Sequence, residues 1–191
     1  MKIAVIGDGK VGRTIIEHMS REGHEIVVID NNPKVIDQIV DLFDVMGICG
    51  SGTSYDTLKE AGVKKADVVI ATTPSDEINL LSCVVAKSIG AKSTIARVRS
   101  HEYSKQVELM SQQLDISMIV NPESEAATEI LNIINFPEAN KVETFRKEKL
   151  EIVELFISES NPLVGLSLAS CKIPCWNVNR YCAKKRWSNY T

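Results

Sequence analysis

Six short apolar runs, at 3–6, 26–29, 45–49, 68–71, 94–98 and 118–120, constrain this chain more than any other feature of it. None alternates polar with apolar residues, so each reads as a strand buried on both faces, the condition of a parallel sheet covered by helices. Stretches with helical spacing lie between them. Val11, Ile15 and Met19 form one stripe, Ile78, Leu81, Val85 and Ile89 a second, and Tyr103, Val107, Met110 and Leu114 a third. Asn32-Pro33 and Asn121-Pro122 each place a capping side chain before a proline at the first helical position. Gly23 and Gly90 fall where helices close. The alternation predicts an α/β fold, a Rossmann-type doubly wound parallel sheet over residues 1–136.

The pattern changes after Pro137. Residues 137–141 read as a linker, and strand candidates at 142–145 and 152–157, joined by the polar turn Arg146-Lys147-Glu148-Lys149, open a small second domain. From Trp176 onward periodicity is lost; both tryptophans and two of the four tyrosines lie in the last 16 residues. A segment without strand or helix period is expected to be loosely held.

Charge and cysteine usage narrow the function. A net charge of −3 over 191 residues gives no basic patch for nucleic acid, and no apolar run reaches the roughly 18 residues of a membrane span. A strand-like segment from Lys2 leaves no secretory leader, which points to the cytoplasm. Cys49 and Cys83 sit in apolar surroundings and read as small core residues. Cys171, Cys175 and Cys182 have no histidine nearby and fit no usual zinc spacing, so no metal site is expected.

Gly7-Asp8-Gly9-Lys10-Val11-Gly12 matches G-x-G-x-x-G. By itself the match is weak, but here it follows a predicted strand and opens a predicted helix. Gly7 permits the tight turn, Gly9 lets backbone approach a pyrophosphate, and Gly12 lets the helix pack against the sheet. The helix N-terminus then offers N–H groups and partial positive charge to phosphates. Asp30 ends the second strand eighteen residues past Gly12. It can accept hydrogen bonds from ribose hydroxyls with Asn31 beside it, or simply cap the helix at Pro33.

Other candidates fall at strand ends, where doubly wound sheets bind ligands. Gly50-Ser51-Gly52-Thr53 follows strand three; Gly52 and Thr53 either admit an adenine ring or form a plain turn. Thr72-Thr73-Pro74 follows strand four. Arg97 closes strand five, where it needs an anion, either a phosphate or an Asp or Glu. Lys10 projects from the phosphate loop, to solvent or to a terminal phosphate. No acid/base group falls in the crevice, since His18, His24 and His101 map to helix surfaces or ends, and no nucleophile elbow is present. The nucleotide looks bound and not consumed. A small NAD-dependent oxidoreductase, or a fragment of one, is the alternative.

The glycine loop, Asp30, "GSGTSYDTLKEAGVKKADVVIATTPSDEINLL" and "IARVRS" together resemble the RCK, or KTN, regulatory domain of potassium channels and transporters, including the peripheral subunits of Trk-type potassium uptake. The resemblance covers residues 1–136. "NPESEAATEIL" resembles the last helix of the family's nucleotide lobe, and "VELFISESNPLVGLSL" the start of its C-terminal ligand-binding domain, here 142–174 and incomplete. The tail 175–191 departs from the family and reads as a truncated or frame-shifted end. The resemblance implies binding of NAD(H), or of ATP or ADP, by a non-enzymatic lobe that self-associates and assembles under a membrane-embedded potassium transporter subunit. It places the residues from Gly7 to Val11 on phosphates, Asp30 on ribose, Thr73 and Pro74 beside the cofactor, and Arg97 at the pyrophosphate. Ser51 stands where relatives carry an aspartate.

Overall fold

The computed structural model of the chain describes residues 1–100, 103, 106–137, 139–145, 150–155, 158 and 164. Two compact units divide it, 1–129 and 130–191. The first is built from β1 (Lys2–Ile6), α1 (Lys10–Arg21), β2 (Glu25–Asp30), α2 (Pro33–Leu42), β3 (Met46–Cys49), α3 (Tyr55–Glu60), β4 (Val68–Ala71), α4 (Asp76–Ile89), β5 (Ser93–Arg97), α5 (Val107–Gln113) and β6 (Met118–Val120). It ends within α6 (Pro122–Asn135).

All six strands are parallel and lie in the order β3-β2-β1-β4-β5-β6. The order reverses between β1 and β4, which opens a crevice at their carboxyl ends where a ligand can sit. The central strands are apolar because both faces are covered. Along β1, Ile3 and Val5 join Ile16, Ile26, Val28, Ile36 and Ile39 on one side, while Ala4 and Ile6 pack with Ile29, Leu58, Val69 and Cys83 on the other. The expected caps are present: the Asn32 side chain accepts from Lys34 N–H at 3.1 Å, and Asn121 from Ser124 N–H at 3.0 Å.

Three expectations give way. First, β3 and β6 are edge strands and are not buried on both faces; Met46 is 59% and Met118 53% exposed. Cys49, at the end of β3, is exposed rather than a core residue, whereas Cys83 is buried, its thiol pushed up to about 12 by that burial and therefore inert. Second, the α4 stripe Ile78, Leu81, Val85 and Ile89 is split: Val85 and Ile89 are partly buried against the core, whereas the other two are not. Ile78 is 43% and Leu81 52% exposed, and the row that faces the sheet is Asp76, Asn79, Leu80, Cys83 and Ala86. Small and hydrogen-bonded side chains let α4 lie close to the sheet, so apolar periodicity picks out the neighbouring row. Third, β7 (Ala139–Phe145) begins inside the segment expected as a linker, and pairs antiparallel with β8 (Leu150–Leu155). The turn at 146–149, Ile157, His101, the cysteines at 171, 175 and 182, and the tail at 175–191 lie outside the described residues, as do the side chains of Val107 and Met110 in the third stripe.

Surplus apolar surface remains on the helices. Ile130, Leu131, Ile133 and Ile134 of α6 are each more than half exposed, as is Leu109 of α5. Among the described residues no helix is long and apolar enough to cross a membrane.

Candidate nucleotide site

The glycine loop joins β1 to α1 with three glycines in three different situations. Gly7 has φ +92°, and a Cβ there would come within 2.9 Å of the Thr73 amide; only glycine takes that turn without strain. Its own N–H donates to the Ile29 carbonyl at 2.8 Å, tying the loop to β2. At Gly12 a Cβ would lie 2.1 Å from the Gly7 carbonyl oxygen and 2.8 Å from Thr72 Oγ1. The Thr72 hydroxyl, buried, donates to that same carbonyl at 2.9 Å. Gly9 differs: the nearest heavy atom to its would-be Cβ is 3.9 Å away. The protein itself leaves room there for a Cβ.

Helix α1 presents its N-terminus to the crevice unprotected. Its first hydrogen bond runs from Arg13 N–H to the Gly9 carbonyl at 2.8 Å, so the amides of Lys10, Val11 and Gly12 precede the helical ladder. No side chain caps them. By contrast Asn32, Ser54, Ser75 and Asn121 cap α2, α3, α4 and α6. Three open amides with the positive end of the helix dipole behind them are suited to receive an anion.

Within the loop, the Gly7 and Asp8 amides have protein partners, unlike those of Lys10, Val11 and Gly12. The Gly7 amide is held by Ile29, and the Asp8 amide donates to Asp30 Oδ2 at 3.0 Å. The Asp8 carboxylate is fully buried and ion paired to Arg13 at 2.6 Å. That hydrogen bond raises the Arg13 guanidinium further above its ordinary value, against the opposing effect of burial. Arg13 thus neutralises a carboxylate that would otherwise face an incoming phosphate. Asp30 does not itself cap the helix, whose cap is Asn32; its Oδ1 accepts from Asn32 N–H at 2.9 Å in a local turn, and its Oδ2 braces the glycine loop. Each carboxylate oxygen keeps a lone pair for a ribose hydroxyl. Asn31 is exposed beside it.

On the other side of the crevice a buried asparagine organises the strand ends. Asn79 is 0% exposed. Its Oδ1 accepts from Thr73 N–H at 2.8 Å and from the Thr73 hydroxyl at 2.7 Å, and its Nδ2 donates to the Thr73 and Arg97 carbonyls at 3.1 and 2.8 Å. Thr73, expected beside the cofactor, is turned toward Asn79 by its amide, carbonyl and hydroxyl alike. Pro74 is exposed, its carbonyl bonded to Arg99. Asp76, at the first position of α4, accepts from the Arg99 and Ser100 amides at 3.0 and 2.8 Å and so fixes the chain leaving β5.

Arg97 has a protein partner. Its Nη2 is ion paired to Glu123 in the first turn of α6, and its side chain is 13% exposed. Nε is buried and has no hydrogen-bond partner among the described residues. Partial burial pushes the Glu123 carboxyl up, but its own backbone amide and the Arg97 and Arg99 guanidinium groups outweigh this and hold it below the usual carboxylate range. Lys10 is exposed and makes no ion pair among the described residues. At the β3 end the plain-turn reading accounts for the glycines. A Cβ on Gly52 would strike Ile6 at 2.2 Å, and one on Gly50 the Thr57 side chain at 2.7 Å; Ser51 Oγ lies 2.9 Å from Thr53 Oγ1.

Sequence reasoning missed Asn79, Asp76, Arg13 and Glu123. The available signal was Asp76-x-x-Asn79, two polar residues one turn apart on the row that a helix after a strand end must bury. Of the histidines, His18 is exposed on α1 and His24 lies 3.3 Å from Glu22. Among the described residues no three His, Cys, Asp or Glu side chains gather as a metal site.

The sheet order, its reversal beside β1 and the open helix terminus after a glycine loop define a Rossmann-type lobe. Residues 3–122 match the TrkA-N domain, and the chain belongs to that family. A Trk system potassium uptake protein TrkA homolog of Archaeoglobus fulgidus is 32% identical over 174 residues, which is 91% of this chain and 39% of the relative. The chain thus spans about two fifths of the length of that relative. Among solved structures, the TrkA-N domain of inner membrane protein ybaL from Escherichia coli superposes with a TM-score of 0.62 at 20% identity, covering 69% of this chain and 95% of that one. The GsuK channel bound to NAD gives 0.54 at 24% identity, covering 62% and 21%.

Proposed function

We propose that the chain is a nucleotide-binding regulatory subunit of a potassium uptake transporter, or the regulatory part of one, that changes transport by binding a ligand it does not consume. The observation that carries this reading is the uncapped start of α1 behind the glycine loop, with Asp30 at the end of the next strand. The family and its named Trk relatives supply the transporter context. NAD(H) is the favoured ligand, with ATP or ADP as the other candidates; the GsuK channel, similar in fold, has been solved bound to NAD. The subunit works at the cytoplasmic face of the membrane through its transporter partner, and the exposed apolar positions of α4, α5 and α6 serve self-association into a dimer or larger assembly.

The phosphate site holds a diphosphate in every state, which sets affinity without switching. A ligand shifts a two-state equilibrium only through its different affinities for the two states. Discrimination therefore rests on groups that reach the variable end of the ligand, and with Thr73 turned inward these are Lys10 and Arg97. The direct test is to identify the nucleotide that co-purifies, then to measure potassium uptake by the assembled transporter with each nucleotide added. Steady loss of added NADH with a carbonyl substrate would favour the oxidoreductase reading instead.

Asp30 also sets cofactor choice. A 2′-phosphate on the ribose would meet a carboxylate already shared with two backbone amides, and no arginine follows Asp30 to offset it. NADPH is expected to bind at least about tenfold more weakly than NADH, equivalent to about 1.4 kcal/mol, and Asp30→Ala to narrow the gap. Equal affinities by calorimetric titration of the full chain would refute this.

A further inference from the structure

Arg97 is incompletely satisfied by its protein partner. A guanidinium binds an anion best through two parallel N–H groups. Glu123 engages Nη2, while Nε is buried with no acceptor among the described residues. An unmet buried donor is costly, so a second acceptor that reaches Nε would improve on the present arrangement. The sheet shows where such an acceptor can come from. β4 separates β5 from β1, and β6 flanks β5 on its other edge. Arg97 therefore closes a strand two spacings, about 10 Å, from the strand that feeds the glycine loop, on the same carboxyl-end rim. Glu123 reaches Arg97 from the β6 side of β5. It is itself half exposed, with 54% of its side chain open to solvent, so water can receive the carboxylate if the guanidinium leaves it.

We propose that Glu123 is an intramolecular competitor for the anionic ligand of Arg97, and that a nucleotide phosphate in the crevice draws the guanidinium off Glu123 and releases the first turn of α6. The inference rests on the nucleotide-binding reading above. It gives that reading a place where binding becomes a conformational signal. Asn121 still caps α6 after the release through Ser124 N–H, so the helix is kept while its side-chain tie to β5 is lost. By linkage, whatever the Glu123 contact contributes to holding Arg97 is subtracted from ligand affinity, and the ligand weakens that contact by the same factor. α6 is the last helix before β7, so this tie lies at the point where the chain leaves the sheet.

The test uses the full chain and two probes, NADH and ADP. Glu123→Gln keeps the shape of an exposed side chain and removes its charge. It is expected to tighten whichever probe the wild type binds by about two- to fivefold, the scale of a partly exposed ion pair. Arg97→Gln is expected to weaken binding, and adding Glu123→Gln to it to change affinity no further. Hydrogen exchange in the wild type gives an independent readout: amides 123–126 should exchange faster with nucleotide bound, and should not respond in Arg97→Gln. A wild type that binds a probe, with Glu123→Gln binding it equally or more weakly, overturns the competition and leaves a purely structural pair. Unchanged or slower exchange at 123–126 on binding does the same. A wild type that binds neither probe overturns the nucleotide reading, and the competition with it.

Discussion

Gly12→Ala is expected to lower the melting temperature of the lobe by about 10 °C, whereas Gly9→Ala leaves it within about 2 °C and instead reduces affinity for every nucleotide. The two substitutions add the same methyl group to the same loop, three residues apart. At position 12 that group would sit 2.1 Å from the Gly7 carbonyl oxygen and 2.8 Å from Thr72 Oγ1. Backbone cannot step aside as a flexible side chain can, so the helix must move off the loop or the Thr72 hydrogen bond must break. Forced overpacking of this kind costs about 3 kcal/mol, and a domain of this size loses a few degrees per kcal/mol. At position 9 the nearest protein atom is 3.9 Å away, so the fold is indifferent to the change. A phosphate seated on the Lys10, Val11 and Gly12 amides is not, because the methyl group occupies the path by which backbone approaches it. Circular dichroism melts and titration of both variants with NADH and ADP separate the cases. If Gly9→Ala binds both ligands as the wild type does, no phosphate passes over that residue.

That contrast also marks what could be read in the sequence. G-x-G-x-x-G with Asp30 eighteen residues later specified the strand, turn and helix, because Gly7 meets a demand of backbone geometry and Gly12 one of close approach to the loop. The four inner strands of the parallel sheet were legible because a strand buried on both faces has few polar positions to spare, and the edge strands β3 and β6 because their short apolar runs stand between helical stretches. The failures share another cause. Cys49 looks apolar in context, yet nothing local reveals that β3 lies at the sheet edge; strand order is a tertiary property. On α4 the larger side chains form a clear stripe of which only Val85 and Ile89 pack on the core, while the fully buried row is Asp76, Asn79, Leu80, Cys83 and Ala86, its polar members held by hydrogen bonds to residues as far along the chain as Ser100. Arg97 itself was correctly suspected of needing an anion. Its partner, 26 residues on, could not be chosen from spacing, since any acidic residue near a strand end was eligible.

The second large effect is expected at Asn79. Asn79→Ala should destabilise the lobe by about 3–5 kcal/mol, because it leaves the Thr73 amide, the Thr73 carbonyl and the Arg97 carbonyl without their partner and opens a void at a site with no solvent exposure. Asn79→Asp is more informative, since it preserves volume. The introduced carboxylate could still accept from the Thr73 amide and hydroxyl, as Oδ1 does now, but the two donations to carbonyls are lost while it is ionised. Burial and facing carbonyl oxygens both favour the neutral acid, so its folded-state pKa lies above the unfolded value of about 3.9. The sign follows from proton binding. Between the unfolded and folded pKa values the native state holds the proton more tightly, so stability relative to wild type falls as pH rises through that window and stays low above it. The deficit should therefore be full at neutral pH and shrink toward pH 4, read as the difference in urea midpoint between variant and wild type at each pH. Nucleotide affinity should recover along with stability, because Asn79 fixes Thr73 and the end of β5 on the rim where Arg97 stands. A deficit independent of pH would mean that the side chain contributes only its volume. The link from α4 to the two strand ends would then have to be sought in Asp76 and its bonds to the Arg99 and Ser100 amides.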